Sequence, residues 1–175
     1  NNMCSKSSFT IKFPEIYSLG IGYSTSKFDL AVDARQVEYS KTEGFEKSGW
    51  TSVGAVSGFG WDDMQIISLG AQYKGIKKMP IRAGYTFNTN PINEELAFFS
   101  VPATAIIQNA YQLGLGYEFS EKITINGVYH IGKSKGSTEG PMYNPMLAGA
   151  SNPLGEIPAS KVSYKMTTSM IMLGL

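Results

Sequence analysis

The sequence alternates apolar and polar residues over about seven stretches, and the connections between those stretches are short and long in turn. Tyr17, Leu19, Ile21 and Tyr23 oppose Ser18, Gly20 and Gly22, and after a turn at Ser24 to Lys27 come Phe28, Leu30, Val32 and Ala34 against Asp29, Ala31, Asp33 and Arg35. The same period of two recurs in Ile67 to Tyr73, Ile81 to Phe87, Tyr111 to Phe119, Ile123 to Ile131 and a last segment from Val162 to Leu175. Such a pattern specifies strands with one apolar face. Near Arg35 and Gln36 the phase slips so that Val37 and Tyr39 take the apolar side, and a bulge there is expected.

The connections near Ser24, Gly75 and Ser120 are tight, whereas Lys41 to Trp61, Pro91 to Gln108 and Ser134 to Lys161 are long. A soluble sandwich has no reason to place every long loop at one end. Outer-membrane barrels do so, with short periplasmic turns and long extracellular loops. Tyr23, Tyr73, Tyr117 and Phe119 fall at the short-turn ends, and Tyr39, Phe87 and Tyr129 toward the long-loop ends, as two interfacial aromatic bands would.

Composition agrees with this reading. The 175 residues include 19 Gly, 10 Tyr and 9 Phe, and no stretch reaches the apolar length of a membrane-spanning helix. Mean hydropathy is -0.11, which does not count against a barrel, because half of each strand faces the lumen. The net charge of +1, without Lys/Arg runs, argues against a nucleic-acid partner. Cys4 is the only cysteine, so no intramolecular disulfide framework or Cys-rich metal site is expected.

An odd strand count does not close a bacterial barrel, so an upstream portion is expected, and a few residues beyond Leu175 as well. The fold class expected is an all-β, antiparallel transmembrane β-barrel.

Several segments resemble the outer-membrane transport proteins of the FadL/TodX type. They are FPEIYSLGIGY at 13 to 23, DLAVDARQVEYS at 29 to 40, WDDMQIISLGAQYK at 61 to 74, PIRAGYTFNTNPI at 80 to 92 and VPATAIIQNAYQLGLGYEFSEKITINGVYHIG at 101 to 132. The resemblance implies a fourteen-stranded barrel with an N-terminal plug, of which residues 1 to 175 are the C-terminal half of a single domain. It also implies an outer-membrane location and passive uptake of long-chain fatty acids or aromatic hydrocarbons. In that family the extracellular loops capture ligand, which passes to a lumenal pocket and leaves through a gap in the wall. The expected partners are outer-membrane lipid and hydrophobic small molecules, with no cofactor, and a monomer is expected.

A channel for amphipathic acids needs an apolar path and a cation, because an unpaired charge in a dry channel is costly. Arg35 and Arg82 point to the lumen in this phase assignment; pairing with Asp29, Asp33 or Glu118 is the alternative role. Met170 and Met172 share the lumenal phase, where flexible thioethers suit a promiscuous apolar pocket, and a shifted register would turn them to lipid. Leu96, Phe98, Phe99, Val101 and Pro102 form one apolar loop cluster, and Met142, Tyr143, Pro145, Met146 and Leu147 another. Either they meet a hydrophobic ligand at the mouth or they pack on one another. His130, the sole histidine, has no motif around it, so lumenal hydrogen bonding is expected rather than catalysis or metal binding. A structural or adhesive barrel, a lipid-modifying barrel enzyme and a soluble sandwich are the competing classes.

Overall fold

The structure, a computed structural model, describes residues 8–175; Cys4 lies outside them. Eleven strands follow in chain order: β1 (Ile16–Ser24), β2 (Phe28–Val37), β3 (Ser48–Trp50), β4 (Val56–Phe59), β5 (Met64–Tyr73), β6 (Ile81–Asn88), β7 (Asn109–Ser120), β8 (Ile123–Lys133), β9 (Thr138–Gly140), β10 (Val162–Tyr164) and β11 (Thr167–Gly174). Seven form one antiparallel sheet in the order β1-β2-β5-β6-β7-β8-β11, which is open, with β1 and β11 at its edges. No described helix is long and apolar enough to cross a membrane.

Register fixes the two faces of this sheet. Leu19 stands opposite Ala34, Ile21 opposite Val32 and Tyr23 opposite Leu30, while across β8 and β11 Ile171 stands opposite Tyr129 and Met170 opposite His130. The apolar face is therefore carried by even-numbered residues on β2 and by odd-numbered residues on the other six strands. Leu19 is 81% exposed, Ile171 73% and Leu173 82%. In water each would forfeit roughly 1.5 to 3 kcal/mol of burial; against lipid the same surface is matched. The short-turn aromatics Tyr23, Tyr73, Tyr117 and Phe119 lie on this face, with the Phe28 and Tyr73 rings 5.0 Å apart.

Three expectations are corrected. β2 pairs with β1 and β5 without interruption from Phe28 to Val37, so no bulge lies at Arg35 and Gln36. Val37 stays on the inner face, where it is buried. Tyr39 belongs to no interfacial band, because its ring packs 4.9 Å from Phe45 and 5.0 Å from Trp61. The segment from Val162 is two strands: β10 pairs with β9, and only Thr167 onward joins the wall.

The packed interior lies outside the sheet. The long connections 38–63, 89–108 and 134–166 fold on one another around Phe59, Trp61, Ile92, Ala97 and Ile106, with Tyr39, Phe45, Val162, Tyr164 and Met166 against them. Two hairpins, β3/β4 and β9/β10, and a 3-10 turn at Glu94–Ser100 give the loops their own backbone hydrogen bonds. Asn93 caps that turn, its side-chain oxygen accepting from the Glu95 N–H at 2.9 Å. The result is a cap at one end of the wall.

Candidate functional site

The inner face of the wall carries a belt of polar side chains joined from strand to strand. At its β1/β2 end, Ser24 Oγ donates to Asp29 Oδ1 at 2.5 Å, and Lys74 Nζ lies 2.6 Å from the same oxygen. Gln72 Nε2 donates to Asp29 Oδ2 at 2.9 Å, and the Gln72 carbonyl accepts from Arg82 Nε at 2.5 Å. Arg82 Nη1 then reaches over β7 to Asn126 Oδ1 on β8, at 2.8 Å.

That reach depends on glycine. A Cβ on Gly116 would stand 3.0 Å from Pro80 Cγ, 3.1 Å from Asn126 Oδ1 and 3.4 Å from Arg82 Nη1, and one on Gly84 would stand 2.8 Å from Gln112 Oε1. Gly116 and Gly84 thus let Arg82 and Gln112 lie flat on the wall.

The two arginines differ in their partners. Arg35 Nε is paired with Asp33 at 2.7 Å, the alternative role weighed for it. Arg82 is held only by the neutral carbonyls of Gln72 and Asn126, and among the described residues no carboxylate forms an ion pair with it. Its charge is positioned but not neutralised.

Arg82 borders a groove of about 450 Å³, floored by Ala31, Gly70, Gly84, Gly114 and Val128 and edged by Asp29, Gln72 and Gln112. Further along, Met170 stands opposite His130 and Met172 opposite Val128, so both thioethers are on the inner face. His130 Nδ1 is 3.1 Å from Gln112 Nε2. The inner wall is therefore amphipathic, with a cation, amides and soft apolar groups at successive positions.

Above it, the two apolar loop clusters pack on each other. Phe99 is 1% exposed, stacked on Tyr143 at 5.2 Å and against Trp50 at 5.2 Å. Phe98 is half-buried, 5.7 Å from Phe99 and 6.0 Å from Tyr143. Met146 is 89% exposed and Val101 49%. The polar ends of three cap aromatics are satisfied: Trp61 Nε1 donates to Ser100 Oγ at 2.8 Å, Trp50 Nε1 to the Leu154 carbonyl at 2.7 Å and the Tyr164 hydroxyl to the Ala97 carbonyl at 3.0 Å. Burial pushes the Tyr164 phenol up to about 12 and also raises Tyr143 and Tyr39.

Sequence reading found Arg82 but not its clamp, Gln72 and Asn126, although the period-two phase puts all three on one face. It passed over Trp50 and Trp61, the anchors of the cap; their signal is that each is a large aromatic in a polar loop. Among the described residues no group of His, Cys, Asp and Glu is placed to hold a metal.

A family model described as outer membrane protein transport protein (OMPP1/FadL/TodX) matches residues 1–149. No curated protein matches the chain. Among solved structures, the crystal structure of a Pseudomonas aeruginosa FadL homologue is similar, with a TM-score of 0.61 at 16% sequence identity; the match covers 91% of this chain and 34% of that one. The chain thus spans about a third of the solved protein, and at this identity the likeness is one of fold.

Proposed function

The chain belongs to the outer membrane protein transport protein family (OMPP1/FadL/TodX) and is an outer-membrane protein, and we propose that it forms part of a channel for passive uptake of hydrophobic compounds. Long-chain fatty acids and aromatic hydrocarbons are the substrate class, and residues 1–175 are the C-terminal part of one barrel domain. The match to 34% of the solved homologue supports reading the chain as part of a longer barrel. The family points to transport as the role, and His130, whose ring hydrogen-bonds an amide, has no nucleophile converging on it among the described residues as acyl transfer would require.

The observation that carries the reading is Arg82. A guanidinium oriented by two neutral carbonyls beside a groove floored by Gly, Ala and Val offers its remaining N–H groups to an anion. A carboxylate fits that geometry, since it accepts parallel hydrogen bonds from the guanidinium fork, and the alkyl chain of such an acid fits the apolar floor. Arg35, Met170 and Met172 line the path beyond, and Phe98 with the exposed Val101 and Met146 offers the first apolar surface at the mouth. Arg35 is the weaker anchor, because Asp33 neutralises it.

Uptake into liposomes holding the full-length protein tests this. Arg82→Gln keeps the amide clamp supplied with a donor but removes the charge. Loss of one charge-assisted pair, about 1.5 to 3 kcal/mol, is expected to weaken fatty-acid uptake roughly tenfold or more, with uptake of a neutral aromatic hydrocarbon unchanged. Passage of small hydrophilic solutes without fatty acids would overturn the reading and favour a general pore.

A further inference from the structure

A second charged feature lies on the opposite side of the wall, at its cap end. Lys133 closes β8 on the odd-numbered outer face, directly beyond Tyr129 and Ile131. The pairing of β8 with β11, in which Lys133 stands opposite Thr167, continues upward: Ser134 N–H donates to the Met166 carbonyl at 3.0 Å, and Met166 N–H to Ser134 Oγ at 3.2 Å. Met166 and Tyr164 turn inward onto the cap interior. Lys135 and Lys165 flank Ser134 and Met166 in the odd-numbered phase that is outward on β8 and β11, and both are exposed.

Three lysines thus stand on one outer surface, immediately beyond its apolar band. None has a carboxylate partner among the described residues, whereas the neighbouring Lys161 is paired with Glu139. The other side of the same rim has the opposite character: Glu15, Glu38, Glu43 and Glu46 gather there, with Lys12 and Lys41 already paired to Glu43 and Glu38 at 2.6 and 2.8 Å. With a net charge of only +1 over the chain, this polarity is local clustering and not a general excess of lysine.

We propose that Lys133, Lys135 and Lys165 form a docking site, on the lipid-facing side of the wall, for the phosphorylated headgroup of an outer-leaflet glycolipid. Position argues for a lipid rather than a free anion. At a rise of about 3.4 Å per residue, Lys133 stands some 7 Å beyond Ile131, less the strand tilt, which is the step from hydrocarbon to headgroup. Long side chains there keep their stems on apolar surface and their ammonium groups in the headgroup layer. Lysine is suited to this task as a mobile point charge that accepts phosphate in many orientations.

The test uses the full-length protein in detergent, with bisphosphorylated lipid A and its phosphate-free counterpart as probes and native mass spectrometry as the readout. Each cation beside an anionic lipid surface contributes about fivefold in affinity, so Lys133→Gln/Lys135→Gln/Lys165→Gln is expected to bind bisphosphorylated lipid A at least roughly tenfold more weakly. The Arg triple variant and a Lys77→Gln/Lys78→Gln control at the opposite rim should bind as the unaltered protein does. Heat-dependent gel mobility reports that every variant is folded, and fatty-acid uptake, which rests on other residues, should not change. Equal binding by the Gln triple variant, or equal binding of phosphate-free lipid A by the unaltered protein, overturns the site. Displacement of the lipid by excess inorganic phosphate overturns its assignment to a lipid.

Discussion

Arg82 on β6 and Asn126 on β8 are separated by an entire strand, yet Arg82 Nη1 lies 2.8 Å from Asn126 Oδ1. The intervening β7 offers Gly114 opposite Arg82 and Gly116 opposite Asn126. Two side chains are absent from the wall so that a third can cross it.

Gly116→Val should therefore act as a substitution of Arg82 at a distance. Its Cβ would meet Pro80, Asn126 and Arg82 Nη1 at 3.0 to 3.4 Å, which pushes the guanidinium off its clamp. Fatty-acid uptake by the full-length protein should fall several-fold, with heat-modifiable gel migration preserved. Uptake equal to that of the unaltered protein would mean that the crossing hydrogen bond does not position Arg82.

The two faces of β11 give opposite responses to charge. Ile171 is on the outer face and Met170 on the inner one. Ile171→Lys places a cation in hydrocarbon, at a cost of about 2 to 4 kcal/mol if the site is near the bilayer centre. Met170→Lys faces the lumen and should fold into lipid vesicles nearly as well as the unaltered chain. Urea titration of folding in vesicles distinguishes the two, and equal losses would contradict the assignment of faces.

The cap should open without loss of the wall. Phe99→Ala removes a side chain that is 1% exposed and should destabilise the cap by about 3 to 5 kcal/mol. Trp61→Phe leaves the wholly buried Ser100 hydroxyl without its indole partner, at about 1 to 3 kcal/mol. Limited proteolysis should then cut within 38–63, 89–108 and 134–166, while the strands between them survive.

Alkaline pH should loosen the same cap. Burial raises the Tyr164 phenol from its ordinary value of 10.0 to about 12. The unfolded cap releases this proton near pH 10 while the folded cap still holds it, so the contribution is complete below pH 10 and is lost as pH rises toward 12. Ultraviolet titration of phenolate should show one group near pH 12 that is absent in Tyr164→Phe, and that variant's protease resistance should depend less on pH in this window.

The wall was legible in the sequence because a strand's two faces differ by one residue in phase. Leu19, Ile21 and Tyr23, or Leu113, Leu115 and Tyr117, announce their side from neighbours alone. The cap was not legible. Trp50 bonds Leu154, 104 positions away, and Tyr164 bonds Ala97, 67 positions away; such pairings leave no local period. β10 looked continuous with β11 because Val162, Tyr164 and Met166 alternate as a wall strand does, although they alternate against the cap interior. Arg82 was visible as an inward cation, but its freedom from a carboxylate depended on which residues the register sets beside it.

The central claim, that Arg82 anchors the acidic head of a hydrophobic ligand on an apolar wall, is tested most directly by the structure of the full-length protein bound to a long-chain fatty acid. The account predicts the carboxylate within hydrogen-bond distance of the Arg82 guanidinium, with the alkyl chain along Ala31, Gly70, Gly84 and Val128. A carboxylate held elsewhere, with Arg82 still bonded only to Gln72 and Asn126, would contradict it.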